Sequence, residues 1–276
     1  MSNQVQNTPE VQGEERLKGV LSGMIKKSIS VFPEGVNAEL LKINALVHIE
    51  RNPSLLEIAK IEPVRIAQIV YNFIALGLDM LNRECYIVPF IKNRGRADQQ
   101  IELTILKDYR GEIKLARKYS VDPIREIFAR VVYENDEYHF NELGHFVHTF
   151  DPFDVDRGAK KGAYCTVVYK SGVQQTEFVN VEEINKIKSV SKSAGYPNSP
   201  WNRWEDEMWR KTAIRKAMKN ISLDFGSSEA ARAYGDTDTD VDFSSTPPTL
   251  PQIKAQNDAF ENVVESEAKE VNFNDI

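Results

Sequence analysis

The stretch at residues 200–220, PWNRWEDEMWRKTAIRKAMKN, decides the fold, because its spacing predicts one long helix with two distinct faces. At about 100° per residue, one face begins aromatic and continues basic. That face carries Trp201, Trp204, Met208, Lys211, Arg215 and Lys219. A second face supplies apolar contacts to a core, through Ala213, Ile214, Ala217 and Met218. The stretch therefore predicts a helix that packs on other elements and offers cations and indole rings elsewhere on its surface.

The patterns that precede this helix predict an α+β fold. Helical spacing occurs at residues 14–29, from Asn37 onward, and at residues 54–60, 63–76, 109–119 and 181–190. Strand-like runs are expected to pair as hairpins, Cys85–Ile91 with Ile101–Leu106, Ile127–Tyr133 with Glu137–Phe140, and Ala163–Lys170 with Gln174–Val179. We therefore expect N-terminal helices, then an antiparallel sheet of hairpins with the long helix packed on it.

Charge is divided unevenly along the 276 residues. Lys and Arg number 35 and Asp and Glu number 41, a net charge of −6 that by itself disfavours a nucleic-acid partner. Twelve acids and three bases follow residue 220, so this segment carries −9 and residues 1–220 carry +3. We predict a disordered N-terminus at residues 1–13 and a flexible acidic tail at residues 227–276 that docks partners or regulates. Within the tail, residues 251–271 favour a short helix with Phe260, Val263 and Val264 on one face.

Several classes of protein lack their signatures in this sequence. No glycine is followed by lysine, so there is no Walker A loop, and no GxGxxG opens a helix. GxSxG and HExxH are missing too, which disfavours serine hydrolases and zinc proteases. The two cysteines, Cys85 and Cys165, lie in strand-like runs, which favours buried and reduced thiols. No secretory signal or membrane span is indicated, and we expect a cytosolic protein.

One group of residues has the composition of a metal site. It comprises His145, His148, Asp151, Asp154 and Asp156. Carboxylates and imidazoles are ligands for divalent ions, but this spacing matches no defined coordination pattern. Aspartates in loops also commonly cap turns. A Mg²⁺-dependent DNA nuclease that uses this group is therefore one alternative function, and turn capping is the structural alternative.

Basic residues are concentrated in two helices and two loops. The helix at residues 109–119 carries four cations on one arc. They are Arg110, Lys114, Arg117 and Lys118. A bound polyanion would relieve their mutual repulsion, and the alternative is that they form an ordinary solvent-exposed helix face. The first hairpin has a basic tip at residues 92–98, and lysines alternate with serines at residues 186–193. Arg210 lies in the apolar arc of the long helix and is expected to pair with a carboxylate or a phosphate. Cations beside aromatic rings favour single-stranded nucleic acid binding, while the tryptophans could also pack in the core.

Seven strings occur in a fixed order between residues 37 and 223. They are LGL (76–78), YIVPF (86–90), YRG (109–111), ARVVY (129–133), SK (191–192), WEDEM (204–208) and KTAIR (211–215). Together they resemble the RecT family of phage single-strand annealing proteins. Several ordered motifs over this length are far more specific than any one of them.

The resemblance implies a protein that is not an enzyme, and that coats single-stranded DNA and anneals it to a complementary strand without ATP. It implies rings or helical filaments and a core like that of the Rad52 annealing proteins, so residues 14–226 are expected to bind DNA, anneal it and oligomerise. The implied partners are single-stranded DNA, the annealed duplex, further copies of the chain, a phage exonuclease and the host single-strand binding protein, in the cytosol of a bacterial host. No cofactor is required, with Mg²⁺ at most an aid to annealing.

Candidate DNA-binding residues come from two sources. The resemblance carries over DNA contacts to Tyr109, Arg110, Ser191, Lys192, Lys211, Thr212 and Arg215. Position in the basic helices and loops adds Arg94, Arg96, Lys107, Lys114, Arg117, Lys188, Trp204, Arg210 and Lys219. No catalytic or metal-binding residue is predicted. A non-catalytic protein scaffold is the other alternative, in which Trp204, Lys211 and Arg215 lie in a protein interface.

Overall fold

The computed structural model describes residues 9–28, 30, 32–93, 96, 100–191 and 194–237. Its internal contacts divide the chain into two compact units, Met1–Gly111 with Phe225–Ile276, and Glu112–Asp224. Helices come first, followed by antiparallel strands with a helix packed on them, which confirms the α+β class.

The first unit opens with four helices whose ends are set by capping residues. They are α1 (Pro9–Ser28), α2 (Ala38–Glu50), α3 (Pro53–Ile61) and α4 (Pro63–Leu76). The side chains of Asn37 and Asn52 accept hydrogen bonds from the backbone N–H groups of Leu40 and Leu55. Gly77 ends α4 with a φ of 76°, a left-handed conformation that glycine adopts without strain. All four helices were predicted, but α1 begins at Pro9 rather than at residue 14.

Helix α4 forms the centre of the core of this unit. Nearly every one of its side chains is buried, including the rings of Tyr71 and Phe73. Helix α1 packs against α4 through Leu17, Leu21 and Ile25, each at most 2% exposed. The sequence left two roles open for this amphipathic helix, a contact between subunits and a place in the local core, and the burial of these side chains supports the local core.

A hairpin and a late helix complete the first unit. Strand β1 (Cys85–Lys92) pairs with β2 (Gln100–Lys107) in the predicted antiparallel hairpin. Helix α9 (Ser228–Thr237) packs on α4, in a segment that was expected to be flexible. The Tyr71 hydroxyl donates to Glu229 at 2.6 Å and the Asn72 amide donates to Asp236 at 3.3 Å, so contacts distant in sequence hold α9 in place. The predicted helix at residues 251–271 lies outside the described residues.

The second unit is built on a three-stranded antiparallel sheet. Its strands lie in the order β3 (Ile124–Tyr133), β6 (Lys160–Tyr169), β7 (Gln174–Asn180), and a separate hairpin is formed by β4 (Glu137–Phe140) and β5 (Phe146–Thr149). The β6–β7 hairpin is confirmed, but the predicted pairing of β3 with β4 is wrong. After β3, the N–H groups of Glu134 and Asn135 donate to the carbonyls of Ala159 and Arg157. The chain thus pairs with the segment that leads into β6, which leaves β4 to pair with β5.

The helices of the second unit differ from the prediction at one point. They are α5 (Tyr109–Tyr119), which starts in the first unit, α6 (Val181–Val190), α7 (Pro200–Arg203) and α8 (Glu205–Lys219). The single helix predicted for residues 200–220 is interrupted at Trp204, where φ is −137° and ψ is 51°. The Trp201 indole N–H donates to the Ser191 hydroxyl at 3.1 Å, which fixes the short α7 separately from α8.

Helix α8 and the β4–β5 hairpin lie on opposite faces of the three-stranded sheet. Successive side chains of a strand point to opposite faces. Cys165 of β6 lies in one buried core with Trp209 and Ala213 of α8. The adjacent Tyr164 instead contacts Phe146 of β5, with ring centroids 4.8 Å apart. The sheet therefore separates a helical layer from an aromatic hairpin.

The cysteines are placed as their surroundings in the sequence predict. Cys85 and Cys165 are not joined in a disulfide, and both are fully buried. Burial, and to a smaller extent the charge of Glu177, raises the pKa of Cys165 to about 12. In the part of the chain that the structure describes, no helix is long and apolar enough to span a bilayer.

Candidate nucleic-acid interface

Helix α8 divides its side chains between the core and the surface. Trp209 and Ala213 are buried against the sheet. The cations predicted for the other side are accessible, since Lys211 and Arg215 are half-buried and Lys219 is exposed. These three residues are called the basic stripe below. Helical spacing thus predicted the accessible cations and part of the packed face, but it did not predict the burial of Trp209 and Thr212.

The three tryptophans have different environments. Trp201 is 3% exposed and packs in the core, whereas Trp204 is 63% exposed. The core alternative is therefore correct for Trp201, and Trp204 offers an accessible ring for stacking. Trp209, at 4% exposure, was not singled out from the sequence. Its position four residues before Ala213, on the same helical face, was the signal that could have placed it in the core.

Two candidate residues of α8 form contacts within their own helix. Arg210 pairs with the carboxylate of Glu207, one turn earlier, as expected for a cation at this position. Thr212 is buried, and its hydroxyl donates to the carbonyl of Met208 at 2.8 Å. A phosphate would have to compete with these contacts, and DNA binding by either residue stays a prediction.

The part of α5 in the second unit presents a second set of cations. Lys114 is half-buried and Arg117 and Lys118 are exposed, while Leu115 and Ala116 are buried on the opposite side. Partial burial, together with repulsion from Lys114, lowers the pKa of Lys118. Burial is the larger of these two causes, and the like charge of Lys114 adds to it.

Ion pairs connect α8 to its neighbours. The Nε atom of Arg215 lies 3.5 Å from Oε1 of Glu112, which ties α8 to α5 within one unit. Lys216 was not a candidate; its ammonium donates to Glu183 at 2.8 Å and to the carbonyl of Phe178 at 2.9 Å. Arg215 and Lys216 therefore pair with carboxylates of different helices, and Lys216, which lies on α8 but outside the basic stripe, provides an internal control.

The serine and lysine segment after α6 lies partly within the described residues. Lys188 is half-buried near the end of α6. The Ser191 hydroxyl accepts the hydrogen bond from Trp201, so it helps to position α7. Lys192 lies outside the described residues. DNA contact by these three residues stays a prediction.

The remaining candidates belong to the first unit. Lys107 is 6% exposed, and its ammonium lies 3.9 Å from the centre of the Tyr234 ring of α9. Arg110 is exposed, with its Nε donating to the Tyr109 hydroxyl at 3.4 Å. Arg96 is exposed, and Arg94 lies outside the described residues. The burial of Lys107 separates it from the accessible cations, a distinction that its sequence position did not reveal.

Three of the candidate metal ligands make hydrogen bonds within the protein through their side chains. Oδ1 of Asp151 accepts from the N–H of Phe153 at 2.9 Å, and Oδ1 of Asp154 accepts from the N–H of Asp156 at 2.8 Å, so the turn-capping alternative is confirmed for both. Among the residues with described positions, no three His, Cys, Asp or Glu side chains form a group suited to a metal ion.

His148 belongs instead to a buried ionic network around Asp136. Nε2 of His148 lies 3.0 Å from the Asp136 carboxylate, and Arg157 donates to both oxygens of that carboxylate at 2.8 and 2.6 Å. Burial alone would raise the pKa of Asp136, but hydrogen bonds from Arg157, the backbone of Tyr133 and His148 outweigh it and hold the pKa below its usual range. The network fixes the entry and exit of the β4–β5 hairpin.

The chain is similar to a known protein family and to a protein of that family. The model of the RecT family matches residues 41–248 of this chain. Protein RecT of Escherichia coli (strain K12) is 29% identical to it over 206 residues, which cover 72% of each chain.

Proposed function

The chain belongs to the RecT family of recombination and annealing proteins, and from this premise we propose that it binds single-stranded DNA and anneals complementary strands without ATP. The observation that carries the proposal is the pair of basic helices in the second unit. Helix α8 presents the basic stripe beside the exposed Trp204, and α5 adds Arg117 and Lys118.

Annealing first requires that two polyanions be brought together. Lysine and arginine side chains neutralise phosphates and release condensed counterions, which makes binding strongly salt-dependent and independent of base sequence. Cations on two helices of one compact unit fit that requirement, because they supply more than one accessible site for phosphate.

The second requirement is to hold the bases without reading their sequence. An exposed indole stacks on any base, a contact of about 1–3 kcal/mol. Trp204 is the tryptophan with this exposure, and it sits where α7 ends and α8 begins. Its carbonyl accepts the backbone N–H of Met208 at 3.1 Å, so Trp204 stands one turn before Met208, at the N-terminal end of the helix that carries the basic stripe.

Pairing between the strands supplies both specificity and driving force. Base stacking contributes about 1.4 kcal/mol per base-pair step, so annealing proceeds downhill with no covalent step and no nucleotide cofactor. The protein then acts as a binding surface rather than as an enzyme, and Mg²⁺ assists only by screening charge.

Assembly of many subunits on one strand makes weak individual contacts persist through avidity. We place this activity in the cytosol of a bacterial host, beside a phage exonuclease that exposes single strands and the host single-strand binding protein.

The test is annealing of complementary oligonucleotides, one fluorescent and one carrying a quencher, without ATP. The unmodified chain should accelerate quenching, and Lys211→Glu/Arg215→Glu should lose the acceleration while its circular dichroism stays unchanged. Arg130→Glu/Lys170→Glu is the matched control, because it makes the same change in charge on the hairpin side of the sheet and in the β6–β7 turn.

Two outcomes would contradict the proposal. If the unmodified chain does not accelerate annealing, the function itself is wrong. If the stripe variant anneals and binds DNA as well as the control, the stripe lies at a protein interface and the scaffold alternative gains support.

A further inference from the structure

An apolar groove of about 390 Å³ opens between the β4–β5 hairpin and strands β6 and β7. Four of its ten lining residues are aromatic, Tyr138, Phe140, Phe146 and Phe178. Phe140 is 62% exposed and Phe178 is 40% exposed, so part of this aromatic surface faces solvent. One charged side chain, Lys161, stands among the lining residues, with its ammonium 2.8 Å from the Tyr138 hydroxyl. Apolar pockets of this size are typical binding sites.

The loop that follows β5 exposes apolar side chains of its own. In residues 151–156, here called the Phe153 loop, Phe153 is 89% exposed and Val155 is fully exposed. Three exposed aspartates alternate with them, at positions 151, 154 and 156. Since the carboxylates of Asp151 and Asp154 cap backbone N–H groups within the loop, its turns are held in a defined shape.

The groove and the loop are separate surfaces of one chain. In the β4–β5 ladder, Phe140 pairs with Phe146 at the turn end and Glu137 pairs with Thr149 at the open end. The groove includes the turn end, whereas the Phe153 loop leaves from the open end. Because Phe153 is almost fully exposed, the loop of a chain does not fill the groove of that same chain.

We propose that the Phe153 loop of one subunit inserts into the aromatic groove of a second copy of this chain. Phe153 and Val155 would bury their side chains against apolar walls, and the loop carboxylates would meet Lys161 at the rim. Charge complementarity and apolar surface on both partners favour this occupant over a neutral apolar peptide. The proposal names the contact surface for the subunit assembly in the proposed function, and it rests on that function.

The geometry has two consequences for assembly. A loop-into-groove contact joins different surfaces of two copies, so it builds a ring or a helical filament when it repeats head to tail and a closed dimer when two copies exchange loops; we infer the head-to-tail form. The groove belongs to the hairpin side of the sheet, opposite α8, so the contact leaves the basic stripe accessible to DNA.

The experiment uses the full chain and measures particle mass by mass photometry, with and without a single-stranded oligonucleotide. Phe153→Asp removes the anchor of the loop, and Phe140→Glu places a negative charge in the groove. Lys161→Glu is a second groove variant that keeps every ring in place. Val173→Asp is the control, because Val173 is an exposed apolar residue (57%) at the far end of the β6–β7 hairpin.

We expect the control to assemble like the unmodified chain, and each loop or groove variant alone to shift to monomers. An equal mixture of Phe153→Asp and Phe140→Glu should give dimers and nothing larger, since only one intact groove and one intact loop remain in each pair. This pattern is specific to a head-to-tail contact.

Three results would contradict either this inference or the proposed function on which it rests. If the loop and groove variants assemble like the unmodified chain and annealing is intact, this interface is excluded and the proposed function is not. Loss of DNA binding by Phe140→Glu, with normal assembly of Phe153→Asp, would show that the groove holds a base. An unmodified chain that neither assembles nor anneals would contradict the proposed function itself.

Discussion

Replacing Lys211 and Lys219 of the basic stripe by glutamine should weaken single-stranded DNA binding and flatten its salt dependence. Each phosphate neutralised on a single strand contributes about 0.7 to the slope of log K against log salt concentration. Two lost contacts therefore reduce the steepness of that slope by about 1.4. At about 0.1 M salt each contact is worth about fivefold in affinity, so the double variant should bind about 25-fold more weakly.

The assay is fluorescence anisotropy of a labelled oligonucleotide over a series of salt concentrations. The control, Lys216→Gln/Lys170→Gln, removes the same charge. The Lys216 ammonium is held by Glu183 at 2.8 Å and by the Phe178 carbonyl at 2.9 Å, and Lys170 lies in the β6–β7 turn. We expect the control to keep the slope of the unmodified chain.

Equal slopes for the stripe variant and the control would refute this reasoning, because they would show that net charge, rather than the placement of cations on α8, sets the binding. A stripe variant with lower affinity and an unchanged slope would also contradict it. The lost contacts would then not involve phosphates.

Three further predictions concern stability and reactivity. A Cβ atom at Gly111 would lie 2.2 Å from the carbonyl oxygen of Glu84, which is closer than van der Waals contact. Gly111→Ala should therefore lower the free energy of unfolding, measured by urea denaturation, by about 1–3 kcal/mol. A change of less than about 0.5 kcal/mol would contradict the clash. Burial would raise the pKa of Asp136, but hydrogen bonds, above all from Arg157, hold this pKa below its ordinary value of 3.8. The ionised Asp136 carboxylate therefore stabilises the fold at pH values above 3.8, and this stabilisation is lost as the pH falls through the lowered pKa. Melting temperatures should fall over this acidic range in the unmodified chain and depend less on pH in Asp136→Asn; equal pH profiles would exclude this role for the carboxylate. Burial raises the pKa of Cys165 to about 12, so its thiol should be alkylated at pH 8 only as the chain unfolds. Peptide mass mapping measures the labelling, and rapid labelling of the folded chain would contradict the burial of Cys165.

Elements with local start and stop signals could be predicted from the sequence. Helix α4 has a proline in its first turn and Gly77 after its last, and both ends lie where these residues predict. The β6–β7 hairpin is likewise set by the Ser171-Gly172 turn, where Gly172 has a φ of 93°. In such segments the information that fixes the element lies within a few residues of it.

Elements decided by distant contacts could not be predicted in this way. The turn after β3 depends on Arg157, which binds Asp136 across 21 residues of sequence. Helix α9 depends on a hydrogen bond between Tyr71 and Glu229, 158 residues apart. Neither partner is visible in the local pattern, so the β3–β4 pairing was misassigned and α9 was expected to be flexible.

The candidate site shows the same division. Spacing along α8 was enough to identify the basic stripe and part of the packed face, because both follow from helical geometry, whereas the burial of Thr212 depends on the neighbouring elements. The same geometry placed Trp201 and Trp204 together, and only the break between α7 and α8 separates a buried ring from an exposed one. The burial of Lys107 likewise depends on Tyr234 of α9, far away in the chain.

The two-sided sheet is compatible with the proposal that annealing and assembly proceed together on one small unit. A growing filament must add subunits while DNA stays bound, so the surfaces that contact DNA and those that contact the next subunit cannot overlap. In this chain the cations of α8 and the aromatic groove are separated by the sheet, whose alternating side chains supply a core to one layer and an aromatic surface to the other. Substitutions on one side should therefore change DNA affinity or assembly separately, and the tests above rely on that separation.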